Sequence, residues 1–302
     1  MRIVKILGGV SIAVVCAAAL GGYIVYAKTD VRMRNTFVVA SESFPIPTDA
    51  ASIARGRHLA DSLAGCTQCH GPDLGGKIEA DVPFLFTGRV PNITQGEGSR
   101  TIGYTDADWI RTVRHGINRA GRPLIMMPSN AFANMTTEDV GAIIAAVKTF
   151  PPVNRQMDPP TIGPLGRVLL LTGAFKILAA ENIDHARPAP AAVSFATAAD
   201  HGKYLVAAGG CADCHRTDLS GGRIPGTPSS LPPAANLTPA GPLATFTEAD
   251  FIHLFRTGKK PDGTPVNDMM PWVAVGRMTD RELGAVFAYL KTVPPAQTQN
   301  PD

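Results

Sequence analysis

Two stretches decide the fold: Cys66-Thr67-Gln68-Cys69-His70 and Cys211-Ala212-Asp213-Cys214-His215. Other short motifs recur around them at offsets of 143 to 146 residues. They are Gly56-Arg57-His58-Leu59 with Gly202-Lys203-Tyr204-Leu205, Asn92-Ile93-Thr94 with Asn236-Leu237-Thr238, Met126-Met127-Pro128 with Met269-Met270-Pro271, and Met135-Thr136 with Met278-Thr279. A match of this length predicts a tandem duplication of one unit of about 100 residues.

The pattern Cys-x-x-Cys-His is the attachment signature of c-type haem. The two cysteines of a helical turn can each form a thioether to one porphyrin, and the next residue places an imidazole under the iron. A structural zinc site would bring a second cysteine pair within about 15 to 20 residues, and a thioredoxin-like pair would accompany a βαβ pattern, which the sequence lacks. We predict two covalently bound haem c groups, held by Cys66, Cys69, Cys211 and Cys214, with His70 and His215 as iron ligands.

Each unit also offers a methionine as the sixth ligand, which would close the iron to substrates and raise its reduction potential. Met127 follows His70 by 57 residues, and Met270 follows His215 by 55 residues. Proline at the next position favours an extended backbone there. Spacing alone leaves Met126 and Met269 as rivals. Met135 and Met278 are explained as core residues that precede a helix.

The remaining polar candidates give weaker signals. His58, His115, His185, His201 and His253 do not recur at equivalent positions, so bis-histidine ligation is disfavoured, and we expect His115 at the surface or near a haem propionate. Arg114 and Arg256 do recur, and either could contact a propionate or compensate the charge of a helix end. We expect the Asn92 and Asn236 loops to lie over a haem edge.

The secondary structure predicted for each unit is helical. The last helix carries apolar residues at i, i+3, i+4 and i+7, as in Val140, Ile143, Ile144 and Val147. Thr279 and Glu282 form a predicted capping box, and Thr136 and Asp139 occupy the same positions in the first unit. A shorter helix should begin at Thr105 or Thr247 and end at Gly116 or Gly258. Few residues favour strands, so we predict an all-α fold with long loops.

The N-terminus predicts a membrane anchor. Arg2 and Lys5 precede an uncharged run over residues 6–27, whose 22 residues span roughly 33 Å as a helix, and a bilayer core is about 30 Å thick. A signal peptide cleaved after Val25-Tyr26-Ala27 is the alternative. We therefore divide the chain into 1–27 (transmembrane helix), 28–47 (linker), 48–153 (first haem domain), 154–197 (linker) and 198–297 (second haem domain). The apolar run 168–180 is too short to span a bilayer and predicts a helix docked on a haem domain, with a partner or membrane contact as the alternative.

Composition limits the function further. The chain of 302 residues has 45% hydrophobic and 18% charged residues and a net charge of +3, without charge runs. Nucleic-acid binding would require lysine and arginine clustered on one face, so we exclude it.

The motifs quoted above resemble those of bacterial class I-type cytochromes c, and more closely the membrane-bound cytochrome subunits of alcohol, aldehyde and gluconate dehydrogenases. In that family the methionine directly before proline is the axial ligand, which implies Met127 and Met270, and both thioethers form outside the cytoplasm. Those subunits usually carry three haem domains, whereas this chain has two motifs, so a particular dehydrogenase partner is not implied.

The expected function is a non-catalytic electron relay, held at the inner membrane with its haem domains in the periplasm. Its donor would be a dehydrogenase or another cytochrome, and its acceptor a membrane oxidase or a soluble protein. If the anchor is cleaved, the protein would be soluble in the periplasm. The alternatives are a di-haem peroxidase, which needs an iron with an open position, and a structural cytochrome subunit of a larger respiratory complex.

Overall fold

The computed structural model describes residues 2–191, 193–228 and 230–298, with side chains from Gly9 onward. Its α-helices are α1 Arg2–Arg34, α2 Ala50–Asp61, α3 Cys66–His70, α4 Asp106–His115, α5 Ser129–Phe132, α6 Thr137–Lys148, α7 Pro164–Leu171, α8 Ala198–Ala208, α9 Cys211–His215, α10 Glu248–Thr257, α11 Trp272–Val275 and α12 Asp280–Leu290. Short 3-10 helices cover Ala179–Asn182 and Pro242–Thr245. The strands are β1 Lys77–Val82, β2 Phe86–Val90 and β3 Thr161–Ile162.

The two predicted helical units are present, and each is built on one close helix pair. Helix α2 packs on α6 in the first domain, and α8 packs on α12 in the second. Glycine permits both approaches: a Cβ atom on Gly56 would lie 1.8 Å from the Ala142 carbonyl oxygen, and one on Gly202 would lie 1.9 Å from that of Ala285. The equivalent glycines of the repeat are therefore the points where the paired backbones touch.

The predicted helix ends are confirmed in most positions. Thr105, Thr247 and Thr279 each cap a helix with a reciprocal capping box, and Gly116 and Gly258 end α4 and α10 in the left-handed conformation. Thr136 accepts from the Asp139 backbone N–H without the reciprocal bond. The Asp139 carboxylate instead binds Arg55 and Tyr204, so a tertiary contact replaces half of the local motif.

A small sheet departs from the expectation that strands would be absent. Strands β1 and β2 pair antiparallel, with Lys77 opposite Val90 and Val82 opposite Phe86, and β3 pairs with β2. The burial pattern of β2 explains why this segment forms a strand. Its buried and half-buried residues alternate with a period of two, as in a strand that packs one face against a core. Strands β1 and β2 lie between the haem-binding motif and Asn92 in the sequence, whereas β3 comes from the segment after the first domain. Within its described residues, the second domain shows two isolated bridges in place of a sheet, Gly222 with Ala234 and Lys259 with Pro265.

Helix α1 is longer than the predicted anchor. It contains the one stretch among the described residues, Gly9–Arg34, that is long and apolar enough to cross a membrane by length and composition. The helix also continues to Arg34, so the start of the predicted 28–47 linker is helical. Met1 and the side chains of Arg2 and Lys5 lie outside the described part.

The predicted helix over 168–180 is wrong in its boundaries. Helix α7 begins at Pro164, which stands in the first turn where a missing N–H costs nothing, and it ends at Leu171. Gly173, with a φ of +78°, turns the chain toward the 3-10 helix at Ala179–Asn182. Leu170 and Leu178 are fully buried with Phe86 and Ile162 in a cluster beside the sheet. The segment therefore packs on the first domain as a broken element.

The two domains meet through a pair of equivalent side-chain contacts. His58 Nε2 lies 2.8 Å from Glu282 Oε2, and the Tyr204 hydroxyl donates to Asp139 Oδ2 at 2.6 Å. His58 and Tyr204 occupy equivalent positions of the repeat, as do Asp139 and Glu282. Each domain thus offers the same surface to the other, as the subunits of a two-fold dimer do.

The Tyr204 contact should contribute measurably to stability. Tyr204→Phe removes the bond to the buried Asp139 carboxylate and the one that the hydroxyl accepts from the Thr136 N–H. A hydrogen bond to a charged group is worth about 1.5–3 kcal/mol, so denaturant unfolding should show a loss of about that size. Tyr289→Phe is the matched control, because the Tyr289 hydroxyl has no hydrogen-bond partner in the described part of the chain. Equal stability of the two variants would contradict the assignment.

The Glu282 contact should make the protein sensitive to acid. Burial opposes ionisation of Glu282, but bonds from Thr279 and His58 outweigh it and hold the pKa of the carboxyl below its usual 4.5. Because the folded pKa is the lower one, the ionised carboxylate stabilises the fold above that range, and this contribution disappears as pH falls through and below it. Urea unfolding between about pH 6 and pH 3 should show a steeper loss in the wild type than in Glu282→Gln.

Candidate haem sites

Each Cys-x-x-Cys-His motif forms a single helical turn. Helices α3 and α9 begin after Gly65 and Gly210, whose φ angles of +59° and +68° are in the left-handed region that favours glycine. All four thiols of the motifs are free. Cys66 packs against the first domain's core and Cys211 against the second's. One edge of each motif therefore faces its own core.

The histidines of both motifs are held in one orientation. His70 Nδ1 lies 2.8 Å from the Pro91 carbonyl oxygen, and His215 Nδ1 lies 2.7 Å from that of Ala235. Because a carbonyl only accepts, Nδ1 carries the proton, and Nε2 keeps a lone pair that has no hydrogen-bond partner among the described residues. Burial lowers the pKa of both imidazoles, so both are neutral at pH 7. A neutral imidazole whose other nitrogen is fixed by a carbonyl is the usual metal-ligand arrangement.

The cysteines do not behave as a redox-active pair or a zinc site. Burial raises the pKa of the Cys66 thiol to about 12 and that of Cys211 to about 11. Catalytic Cys-x-x-Cys pairs need the opposite shift. No group of three or more His, Cys, Asp or Glu side chains that could hold a metal ion occurs within the described ranges. Two free thiols and one oriented imidazole per motif fit covalent haem.

The structure separates the two methionine candidates of each unit. Met127 packs against the core that includes Cys66, whereas Met126 has a φ of +72° and packs beside the sheet with Phe86. Met270 packs against the core that includes Cys211, whereas Met269 is 48% exposed. Met135 and Met278 are buried, as expected of core residues. This packing favours Met127 and Met270.

Sequence reasoning missed the role of the two Asn-x-Thr motifs. Asn236 Nδ2 donates to the Ala296 carbonyl at 2.7 Å, while its Oδ1 accepts from the N–H and hydroxyl of Thr238. Asn92 makes the equivalent bonds to Val153 and Thr94. Each asparagine directly follows the residue whose carbonyl holds the haem histidine. The motif therefore ties that carbonyl to the segment after the last helix, and its recurrence in both units was the available signal.

The hydrogen bonds of Asn92 and Asn236 should affect both the stability of each domain and the position of its haem histidine. Asn236→Ala leaves the buried Ala296 carbonyl and Thr238 groups without partners, which costs about 1–3 kcal/mol per group. We expect a lower unfolding free energy and a changed reduction potential of the second haem, with the first haem unaffected. Asn92→Ala is the matched variant, and it should give the reverse pattern in a spectroscopic redox titration. A change of both potentials in either variant would contradict a local role.

His115 is not at the surface, and the two repeated arginines stand at helix ends. His115 is 2% exposed rather than at the surface, because its Nδ1 pairs with His185 Nδ1 at 3.0 Å. Arg114 is buried in an ion pair with Glu42. Arg256 binds the Met278 carbonyl and Asp280. Both arginines stand in the last turns of α4 and α10, the position in which a cation compensates the charge of a helix end.

Two tandem helical domains, each with an oriented imidazole, two free thiols and an inward methionine, define the class of c-type haem proteins. The cytochrome c family model matches residues 53–150 and 199–294, and the chain belongs to the cytochrome c family. It accordingly binds two covalent haem c groups. When bound, the haem iron takes up and releases single electrons.

The chain is similar to cytochrome subunits of two dehydrogenases and to a diheme cytochrome. The cytochrome c subunit of the quinone-dependent alcohol dehydrogenase of Gluconacetobacter polyoxogenes is 28% identical over 87% of this chain and 62% of its own length. The cytochrome subunit of the fructose dehydrogenase of Gluconobacter japonicus is 27% identical over 92% and 59%. A diheme c-type cytochrome of Cereibacter sphaeroides is 27% identical over 76% and 82%. The chain thus spans about three fifths of the dehydrogenase subunits and most of the di-haem protein.

Proposed function

We propose that this protein is a membrane-anchored di-haem electron relay. Cys66, Cys69, Cys211 and Cys214 would hold the porphyrins, and His70, Met127, His215 and Met270 would ligate the irons. The observation that carries the proposal is the equivalence of the two sites: each has an imidazole and a thioether available, so neither iron would keep an open position for a substrate. The two haem domains, residues 48–153 and 198–297, would follow an N-terminal membrane anchor in the chain.

The roles of the side chains follow from their contacts. The Pro91 and Ala235 carbonyls fix the histidine tautomers, and Met127 and Met270 each pack with one side against an apolar core, which shields that side from water. Both features are means by which a protein sets a reduction potential. The contacts of His58 with Glu282 and of Tyr204 with Asp139 hold the domains, and with them the two haem sites, at a fixed separation.

The proposed setting is the periplasmic face of the inner membrane. The support is the apolar helix α1 together with the family rule that thioethers form outside the cytoplasm. The donor would be a dehydrogenase, as the names of two relatives suggest, or another cytochrome. The acceptor would be a membrane oxidase or a soluble redox protein.

A redox titration of the purified full chain, followed by absorbance and magnetic spectra, tests the proposal. We expect two low-spin haems with histidine and methionine ligation, and a denatured mass that exceeds the polypeptide by two haem groups. A resting high-spin haem that reacts with hydrogen peroxide would instead support the peroxidase alternative. A mass increase of less than two haems would overturn the relay.

A further inference from the structure

An exposed apolar surface lies where the hairpin of the first domain meets helix α7. We call it the apolar edge, and its members are Val82, Pro83, Phe84, Leu165 and Val168. Phe84 is 78% exposed and Leu165 is 52% exposed. The Leu165 N–H donates to the Phe84 carbonyl at 3.0 Å, and the Gly163 N–H donates to that of Leu85 at 2.9 Å. The hairpin turn and the start of α7 therefore form one continuous surface.

Helix α7 is fastened to the anchor helix by its polar residues. Arg167 donates to Thr29 Oγ1 at 2.7 Å and to Asp30 Oδ1 at 2.6 Å, and its guanidinium lies 4.2 Å from the centre of the Tyr26 ring. Arg32 of α1 binds Glu181 and the Leu170 carbonyl. Thr29 is fully buried by these contacts. The anchor is thus a rigid extension of the first domain, so its direction fixes which surface of that domain approaches the membrane.

The order of these contacts along α1 shows where the apolar edge lies relative to the membrane-spanning part of that helix. Arg167 meets α1 between Tyr26 and Asp30, whereas Leu170 meets it at Arg32, so α7 runs in the same direction as α1. Leu165 precedes Arg167 by two residues, which is about 3 Å along a helix. It therefore lies on the membrane side of Arg167, near the level of Tyr26 at the end of the apolar run 6–27.

We propose that the apolar edge inserts into the lipid interface beside α1, with the 78% exposed Phe84 side chain among the groups that contact lipid. This inference rests on the proposed anchoring of α1. Aromatic side chains favour that level of a bilayer, and apolar faces that lie in the interface penetrate about 5–10 Å. No member of the edge is basic, so the edge has no side chain that could bind an anionic headgroup. We therefore place it at the boundary between headgroups and acyl chains. The first domain would stand on the membrane in one orientation.

Tryptophan quenching by brominated lipids tests this in the full haem-loaded chain. Phe84→Trp, and separately Leu165→Trp, is placed in vesicles of phosphatidylcholine with or without bromine near the start of the acyl chain. The ratio of the two emissions cancels quenching by haem, and the wild type with Trp109 and Trp272 supplies the background. Ile102→Trp is the matched control, because Ile102 is also 52% exposed but lies in the loop before α4. Val15→Trp reports on the anchor itself.

We expect bromine to reduce the emission of the Phe84→Trp and Leu165→Trp variants and to leave that of Ile102→Trp near the background. If Val15→Trp is quenched and neither edge variant is, the anchoring proposal is supported and the lipid contact of the edge is overturned. If Ile102→Trp is quenched as strongly as the edge variants, the fixed orientation is overturned. If Val15→Trp itself is not quenched, the anchoring proposal fails and this inference fails with it.

Discussion

Gly202→Ala is expected to disrupt the second haem domain. The added Cβ would lie 1.9 Å from the Ala285 carbonyl oxygen and 2.8 Å from Tyr289 Cβ, far inside van der Waals contact. Overpacking usually costs about 1–3 kcal/mol, and we expect at least the upper end because the clash is with backbone, which cannot rotate away. The helix propensity of alanine returns only about 1 kcal/mol. Helices α8 and α12 must therefore separate.

The measurement is unfolding by denaturant together with the haem content of the purified protein. Lys203→Ala is the matched control, since Lys203 is the exposed neighbour on the same helix and should tolerate the change. Gly56→Ala should damage the first domain in the same way, because its Cβ would lie 1.8 Å from the Ala142 carbonyl oxygen. Wild-type stability and full haem content in Gly202→Ala would show that the helices are not packed as described.

Met270→Ala is expected to convert the second haem from low spin to a state with an open or water-filled position. A methionine sulfur favours the reduced iron, and the choice of axial ligands changes haem reduction potentials over a range of about 0.8 V. We therefore expect the reduction potential of that haem to fall by something on the order of 0.2 V. The first haem should keep its spectrum and potential. Loss of the sulfur-to-iron charge-transfer band for one haem of the two is the direct readout.

Met269→Ala is the control for this prediction, because Met269 is the neighbouring residue and about half of it is exposed to solvent. Its spectrum and potentials should match those of the wild type. The same comparison applies to Met127→Ala and Met126→Ala in the first domain. A low-spin spectrum that survives in Met270→Ala and disappears in Met269→Ala would reverse the ligand assignment of the second domain.

Most of the domain architecture could be predicted from the sequence because its signals are local. The helix start at Thr247, the capping box at Thr279 and the helix ends at Gly116 and Gly258 depend on residues within one helical turn. The sheet was missed because β1 and β2 are short and lie in the long loop of the first unit. Helix α7 was misplaced because apolar residues continue past Leu171, where Gly173 turns the chain.

The candidate sites divide in the same way. Spacing alone identified two methionines per unit, and only packing placed Met127 and Met126 on different clusters. The sequence predicts His115 at the surface or near a haem propionate, and it does not reveal the contact with His185, which is 70 residues away. The Asn92 and Asn236 motifs were visible as repeats, but their partners lie about 60 residues downstream and could not be read from local pattern.

The sequence by itself determined the chemistry of this protein: two Cys-x-x-Cys-His motifs, the repeat that carries them and an apolar N-terminal helix are properties of neighbouring residues. Only the tertiary structure decided how the parts are oriented. The carbonyls that fix His70 and His215, the exchange of contacts between the domains and the seating of α1 on α7 all join residues far apart in the chain. Such contacts depend on complementary surfaces meeting in space, and a one-dimensional pattern does not contain that information.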